Sequence, residues 1–182
     1  MDDLEALHTL LRARSVRLGD FVLASGRKST YYIDARLTTM SAEGQALIGS
    51  AGLAAIRAKG WKPAAIGGLT MGADPVAYAV ARASLASGDV IDAFSVRKEA
   101  KKHGTGKRIE GNFAPGIAVV VAEDVITSGG SALQAIEAIR AEGGTILGVL
   151  AIVDREEGGM ANIESAGYEV VALTTTTSLG LR

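Results

Sequence analysis

Leu4, Leu7, Leu10 and Leu11 recur at helical spacing and predict an amphipathic helix over Asp3 to Arg12. A second helical pattern runs from Ser41 to Lys59, with Ser41 as its N-cap and Gly60 as its stop. Between them, Phe21-Val22-Leu23 and Tyr31-Tyr32-Ile33 flank the polar stretch Ala24 to Thr30 and predict two strands joined by a loop, a small hood. From residue 64 onward short apolar runs alternate with helical segments. Strands are predicted over Ala64–Leu69, Val90–Val96, Ile117–Ala122, Ile146–Val153 and Tyr168–Leu173, and helices over Pro75–Ala86 and Ser131–Ala141. Runs of Val, Ile and Leu without polar alternation are strands buried on both faces. The expected fold is therefore α/β, a central, mostly parallel sheet flanked by helices. In such sheets ligands bind beyond the C-terminal strand ends, so the polar segments that follow the predicted strands are where chemistry is sought.

The chain has 182 residues, which suits one domain over 1–182 with residues 1–40 contributing the hood. Hydrophobic residues make up 48% and aromatics 4%, so the core is aliphatic. There is no Cys, which excludes disulfides, thiolate metal sites and thiol nucleophiles. With two His a zinc site is not expected, and His8, on the leucine-bearing first helix, reads as structural. The start Met1-Asp2-Asp3-Leu4-Glu5 is acidic, unlike a signal peptide, and no unbroken apolar run exceeds six residues, so a cytoplasmic protein without membrane contact is expected. A net charge of −1 argues against a broad nucleic-acid surface. That average conceals an uneven distribution. Arg97 to Glu110, RKEAKKHGTGKRIE, carries +4, and the rest of the chain carries −5. Two glycines and no apolar periodicity make this segment a mobile basic loop on an acidic body.

The most informative stretch is Val119 to Ser131. An apolar strand leads into the adjacent carboxylates Glu123 and Asp124, then through Val125 and Ile126 to Thr127, Ser128, Gly129, Gly130 and Ser131 at a helix start. Free backbone N–H groups, hydroxyls and the positive end of a helix dipole suit an anion, above all a phosphate. The lysine of a Walker loop is missing, and the glycine spacing is not that of a dinucleotide turn. Two carboxylates beside a phosphate cradle must face something other than the phosphate, such as sugar hydroxyls or a shared Mg²⁺. Together these groups fit a phosphorylated sugar.

The segment EDVITSGGS resembles the 5-phosphoribosyl 1-diphosphate (PRPP) motif of the type I phosphoribosyltransferases, and RKEAKKHGTG resembles the flexible catalytic loop of the orotate branch of that family. FVLASGRKSTYYID is similar to that branch's N-terminal motif, and Val153-Asp154-Arg155-Glu156-Glu157 to its late strand-end arginine motif. The resemblance implies transfer of ribose 5-phosphate from PRPP to orotate, giving orotidine 5'-phosphate and diphosphate for pyrimidine nucleotide synthesis. It implies that Glu123 and Asp124 hold the ribose hydroxyls, that Thr127, Ser128, Gly129, Gly130 and Ser131 wrap the 5'-phosphate, and that Val125 and Ile126 belong to the same PRPP-binding segment. Arg97, Lys98, Lys101 and His103 would meet diphosphate, with Lys101, His103 and Asp124 as catalytic residues. The glycine-rich Gly67 to Ala73 occupies the position of a diphosphate loop. Arg155, Tyr32 and Thr127 would contact orotate. Mg²⁺ would be held mainly by PRPP and diphosphate, with no protein-only metal site, and a homodimer with shared active sites is implied.

The family's motif commonly carries Lys before Ser-Gly, where this chain has Ala24; Lys28 or Arg27, close by in the hood loop, are the expected substitutes. Two other functions share much of this pattern: transfer to another nitrogen base, and a PRPP-binding regulator without activity. The complete basic loop and the lack of room for a DNA-binding domain disfavour the regulator. Thr174 to Thr177 receives no role.

Overall fold

A computed structural model of the chain describes residues 2–22, 26, 28–99 and 108–181. The first helix, α1 (Asp3–Arg14), is capped by the Asp2 carboxylate and buries Leu7, Leu10 and Leu11. The hood is an antiparallel pair, β1 (Val16–Val22) and β2 (Lys28–Ile33), a sheet of its own. A four-residue helix, α2 (Arg36–Thr39), follows and leads into α3 (Ala42–Ala58), where the Ser41 hydroxyl accepts the Gly44 N–H at 3.0 Å as the N-cap pattern requires.

The main sheet contains β3 (Ala65–Leu69), β4 (Asp92–Val96), β5 (Ile109–Gly111), β6 (Ala118–Ile126), β7 (Thr145–Asp154) and β8 (Val170–Thr175), in the order β5-β4-β3-β6-β7-β8. All neighbours are parallel except β4 and β5. The mostly parallel α/β architecture read from the sequence is the one observed. Helices α1, α3 and α4 (Ala73–Leu85) cover one face, and α5 (Gly130–Ala141) and α6 (Gly159–Ser165) the other. Strand alternation divides the core accordingly: Val120, Ala122, Leu150 and Ile152 face the first cluster, while Val119, Val121, Val149 and Ala151 face the second.

Three elements were not anticipated: α2, β5 and α6 are too short to display a period. Strand β6 runs four residues beyond the apolar stretch, because Glu123, Val125 and Ile126 continue the ladder with β7 opposite Ala151, Val153 and Asp154. The carboxylates thus project from sheet backbone instead of from a loop. Gly67 and Gly68, read as part of a diphosphate loop, are interior positions of the fully buried β3. A Cβ on Gly67 would collide with the Phe94 carbonyl, and one on Gly68 with the Ala122 carbonyl, so both glycines serve close packing. Only Thr70, Met71 and Gly72 form the turn from β3 into α4.

Candidate active site

The C-terminal ends of β3, β4, β6 and β7 converge on one side of the sheet. At the end of β6 the chain turns through Thr127, Ser128 and Gly129 into α5. Gly129 is left-handed, with φ +80°, and is an N-cap without any side-chain cap bond. The first turn of α5 therefore presents backbone N–H groups to the small recess lined by residues 125–131 and Glu123. The turn is fixed from behind. Asn162 of α6 donates to the Ser128 carbonyl at 3.0 Å, and Gly159 lies so close that a Cβ there would come within 2.5 Å of the Thr127 carbonyl oxygen. Ile126 is buried in the core, so only its backbone is available to a ligand.

Beside this recess lies a wider cleft of about 580 Å³, lined by Arg36, Thr70, Met71, Gly72, Asp74, Lys98, Glu123, Asp124 and Ser131. Glu123 is 6% exposed, and its Oε2 has no hydrogen-bond partner. Burial, followed by the negative charge of Asp124 and a hydrogen bond to it, pushes the Glu123 carboxyl up to about 8. Asp124 accepts the N–H of Val125 at 2.9 Å. Its carboxylate lies against the β3–α4 turn, where a Cβ on Gly72 would stand 2.5 Å from Oδ1. Asp74, in the first turn of α4, accepts the Ser95 hydroxyl at 2.6 Å; burial nevertheless raises its pKa, and the Ser95 bond opposes that shift. An acidic pair beside an uncapped helix start is the arrangement of groups a phosphorylated sugar needs, hydroxyl acceptors next to an anion cradle.

The third wall is the turn after β7. The Arg155 side chain is 11% exposed, pairs with Glu157 at 2.9 Å and lies 5.5 Å from the centre of the Tyr31 ring. Its Nε is buried without a hydrogen-bond partner. The Arg155 N–H donates to Ile126, tying this turn to the phosphate turn. Glu156 is the one non-glycine residue with positive φ among those described, at +55°. Its carboxylate accepts from the Thr176 hydroxyl at 2.6 Å and from the Thr177 N–H at 2.7 Å. The Thr174 to Thr177 run, given no role from sequence, thus braces the Arg155 turn.

The remaining candidates divide between the cleft, the hood and the basic segment. Tyr32 is 41% exposed, its ring lies tilted with its centre 5.8 Å from that of Phe21, and it is within electrostatic reach of Arg36, whereas Tyr31 is the ring under Arg155. Lys98 lines the cleft, but Arg97 is held by Glu110 at 3.2 Å across the β4–β5 hairpin. Lys101 and His103, like Ala24 and Arg27, lie outside the described residues. Lys28 starts β2 opposite Val22 and is not among the cleft-lining residues. His8 contacts the Leu173 carbonyl at 3.3 Å, in keeping with a structural role. A separate cavity of about 400 Å³, lined by Trp61, Arg57, Ile91 and their neighbours, opens where β3 and β4 begin, away from these groups.

No family model matches the chain. An orotate phosphoribosyltransferase of Rhodopirellula baltica is 45% identical over 185 residues, covering 98% of this chain and 95% of that protein. The corresponding protein of Aquifex aeolicus is 47% identical over 172 residues, covering 93% of each. The chain belongs to the orotate phosphoribosyltransferase family. The crystal structure of the Mycobacterium tuberculosis orotate phosphoribosyltransferase in complex with PRPP matches with a TM-score of 0.84 and 38% identity over 98% of this chain and 99% of that one. Two features of the site are not legible in the sequence. One is the Thr176–Thr177 brace, whose partner lies twenty residues upstream. The other is Arg36, which shares the cleft with Asp124 but sits on a helix too short to register as a pattern. The only sequence signal for Arg36 is Asp34 two residues before it. No helix among the described residues is long and apolar enough to cross a membrane.

Proposed function

We propose that this chain transfers the 5-phosphoribosyl group of PRPP to orotate, releasing diphosphate and forming orotidine 5'-phosphate. The observation that carries the reading is the joining of the acidic pair Glu123 and Asp124 to the uncapped start of α5 by one continuous strand and turn. Glu123 and Asp124 take the ribose hydroxyls. Thr127, Ser128, Gly129, Gly130 and Ser131 take the 5'-phosphate, with Val125 and Ile126 contributing backbone. Orotate lies toward Arg155, Tyr32 and Thr127.

Loss of diphosphate leaves an oxocarbenium-like sugar and places several negative charges on the leaving group, so cations must face that group and water must be kept away. Lys98, which lines the cleft, is assigned to this task, and Lys101 and His103, with Arg97, are assigned to it from the resemblance of their segment. A divalent cation, Mg²⁺, would find Asp74, Glu123 and Asp124 along one cleft but no group of three metal-ligating side chains set as a cage among the described residues. These residues fit a cation that arrives on PRPP and keeps most of its oxygens from substrate and water, where it neutralises diphosphate charge. We further propose a cytoplasmic homodimer in which the basic segment of one subunit serves its neighbour's site.

The direct test is the fall in orotate absorbance in the presence of PRPP and Mg²⁺. Turnover is expected only when all three are supplied; absence of turnover with orotate, accompanied by diphosphate release with another base, would overturn the reading. Arg155→Lys, which keeps the charge but loses the planar fork, is expected to raise the KM for orotate about 10-fold or more and to leave the KM for PRPP within about twofold. A lowered melting temperature with both KM values unchanged would instead make the Arg155–Glu157 pair purely structural.

A further inference from the structure

The cleft beside the β3–α4 turn is lined by three carboxylates, Asp74, Glu123 and Asp124, and among the described residues its only cationic side chains are Lys98 and Arg36. Arg36 is held in an unusual way for a residue half-exposed to solvent. Its Nε donates to Asp34 Oδ1 at 2.8 Å and its Nη2 to Oδ2 at 3.1 Å, a bidentate grip on one edge of the guanidinium. The Arg36 backbone N–H also donates to Asp34 Oδ1, at 3.2 Å. This grip lowers the pKa of Asp34 and raises that of Arg36, to which Tyr32 and Asp124 add a smaller push in the same direction. The other edge, with Nη1, has no hydrogen-bond partner among the described residues. An exposed ion pair contributes little to stability, so so much local order around one arginine calls for a ligand.

We infer that Arg36 is a diphosphate-binding residue, presenting the free edge of its guanidinium to the leaving group of PRPP. The inference rests on the function proposed above and extends it to a residue outside the recognised motifs. Position selects the diphosphate over the other two anions of the reaction. The recess for the 5'-phosphate is lined by residues 125–131 and Glu123 without Arg36, and the third wall has its own guanidinium in Arg155 over Tyr31. Arg36 instead shares its cleft with Thr70, Met71, Gly72 and Lys98, beside the uncapped start of α4. A diphosphate brought into a cleft that also holds the Asp74 and Asp124 carboxyl groups needs opposing charge, and a planar fork matches two phosphate oxygens at once. Asp34 is then a positioning residue. It spends one edge of Arg36 to fix the other, so the arginine arrives oriented and loses little rotational freedom when the substrate binds.

The experiment is calorimetric titration of inorganic diphosphate with Mg²⁺ into wild type, Arg36→Gln and Asp34→Asn, alongside steady-state kinetics for both substrates. Arg36→Gln is expected to weaken diphosphate binding and to raise the KM for PRPP, each by about 10-fold or more, with the KM for orotate within about twofold. Asp34→Asn is expected to act in the same direction by about threefold, because it loosens Arg36 without removing it. Melting temperatures within about 2 °C of wild type would show that neither substitution acts through folding. Unchanged diphosphate affinity in Arg36→Gln would overturn the inference, as would a rise confined to the KM for orotate. A wild-type protein that binds diphosphate but consumes no orotate would overturn the proposed function, and the titration of Arg36→Gln would still decide the role of Arg36.

Discussion

Glu123→Gln is expected to lower kcat/KM for PRPP by about 100-fold or more and, at alkaline pH, to make the free protein more resistant to heat. Glu123 is buried at the end of β6 with Oε2 unpartnered and Asp124 adjacent, so its carboxyl is raised from 4.5 to about 8. A group whose pKa is higher in the folded than in the unfolded chain adds stability that is fully present below about 4.5 and is lost as pH rises through about 8. Each pH unit of that interval corresponds to about 1.4 kcal/mol, so even half of it amounts to about 2 kcal/mol. Glutamine keeps the shape of the protonated acid and cannot ionise. The melting temperature of the variant relative to wild type should therefore climb between pH 5 and pH 9, by about 5 °C for a chain of this size. Melting curves across that range without substrate, paired with PRPP kinetics, check both halves. A difference in melting temperature that stayed flat with pH would mean Glu123 is ionised in the free protein.

Gly72→Ala is expected to remove about 99% of kcat/KM while shifting the melting temperature by no more than about 2 °C. Gly72 has ordinary helical backbone angles, φ −62° and ψ −42°, so alanine fits the chain. The new methyl would stand 2.5 Å from Asp124 Oδ1. A carboxylate at the end of a side chain can turn away, so the fold survives, but Asp124 then leaves both its bond to the Val125 N–H and its place in the cleft. Gly67→Ala, five residues earlier, supplies the contrast. There the methyl meets strand backbone and the Phe94 ring, which cannot turn away, and about 3 kcal/mol of stability, roughly 10 °C in melting temperature, should be lost. Thermal melts and PRPP kinetics on both variants separate the two. Equal loss of stability in each would refute the assignment of Gly72 to the site.

That contrast also marks how far the sequence could be read. The GGLTMGA run is continuous in sequence, yet its first two glycines pack a strand and its third abuts a carboxylate, a distinction set by neighbours in β4 and β6. The phosphate turn and acidic pair were legible because all of their chemistry lies within nine consecutive residues, Glu123 to Ser131. Strand β6 was read too short because an apolar criterion stops at a carboxylate, whereas the backbone ladder does not. The central strands and their helices were legible from Val, Ile and Leu runs long enough to show a pattern. Arg36 was not, because its partner is two residues away and its helix is one turn. The brace on Glu156 was not, because nothing local links residue 156 to residues 176 and 177.

That brace has an entropic consequence for the order of events at the site. Glu156 is fixed by Thr176 and Thr177, and the same C-terminal turn is anchored further by buried Leu179, whose carbonyl accepts Arg12 of α1 at 3.0 Å. The turn bearing Arg155 has therefore surrendered its conformational freedom during folding, and a planar base entering beside it need not supply that ordering from its own binding free energy.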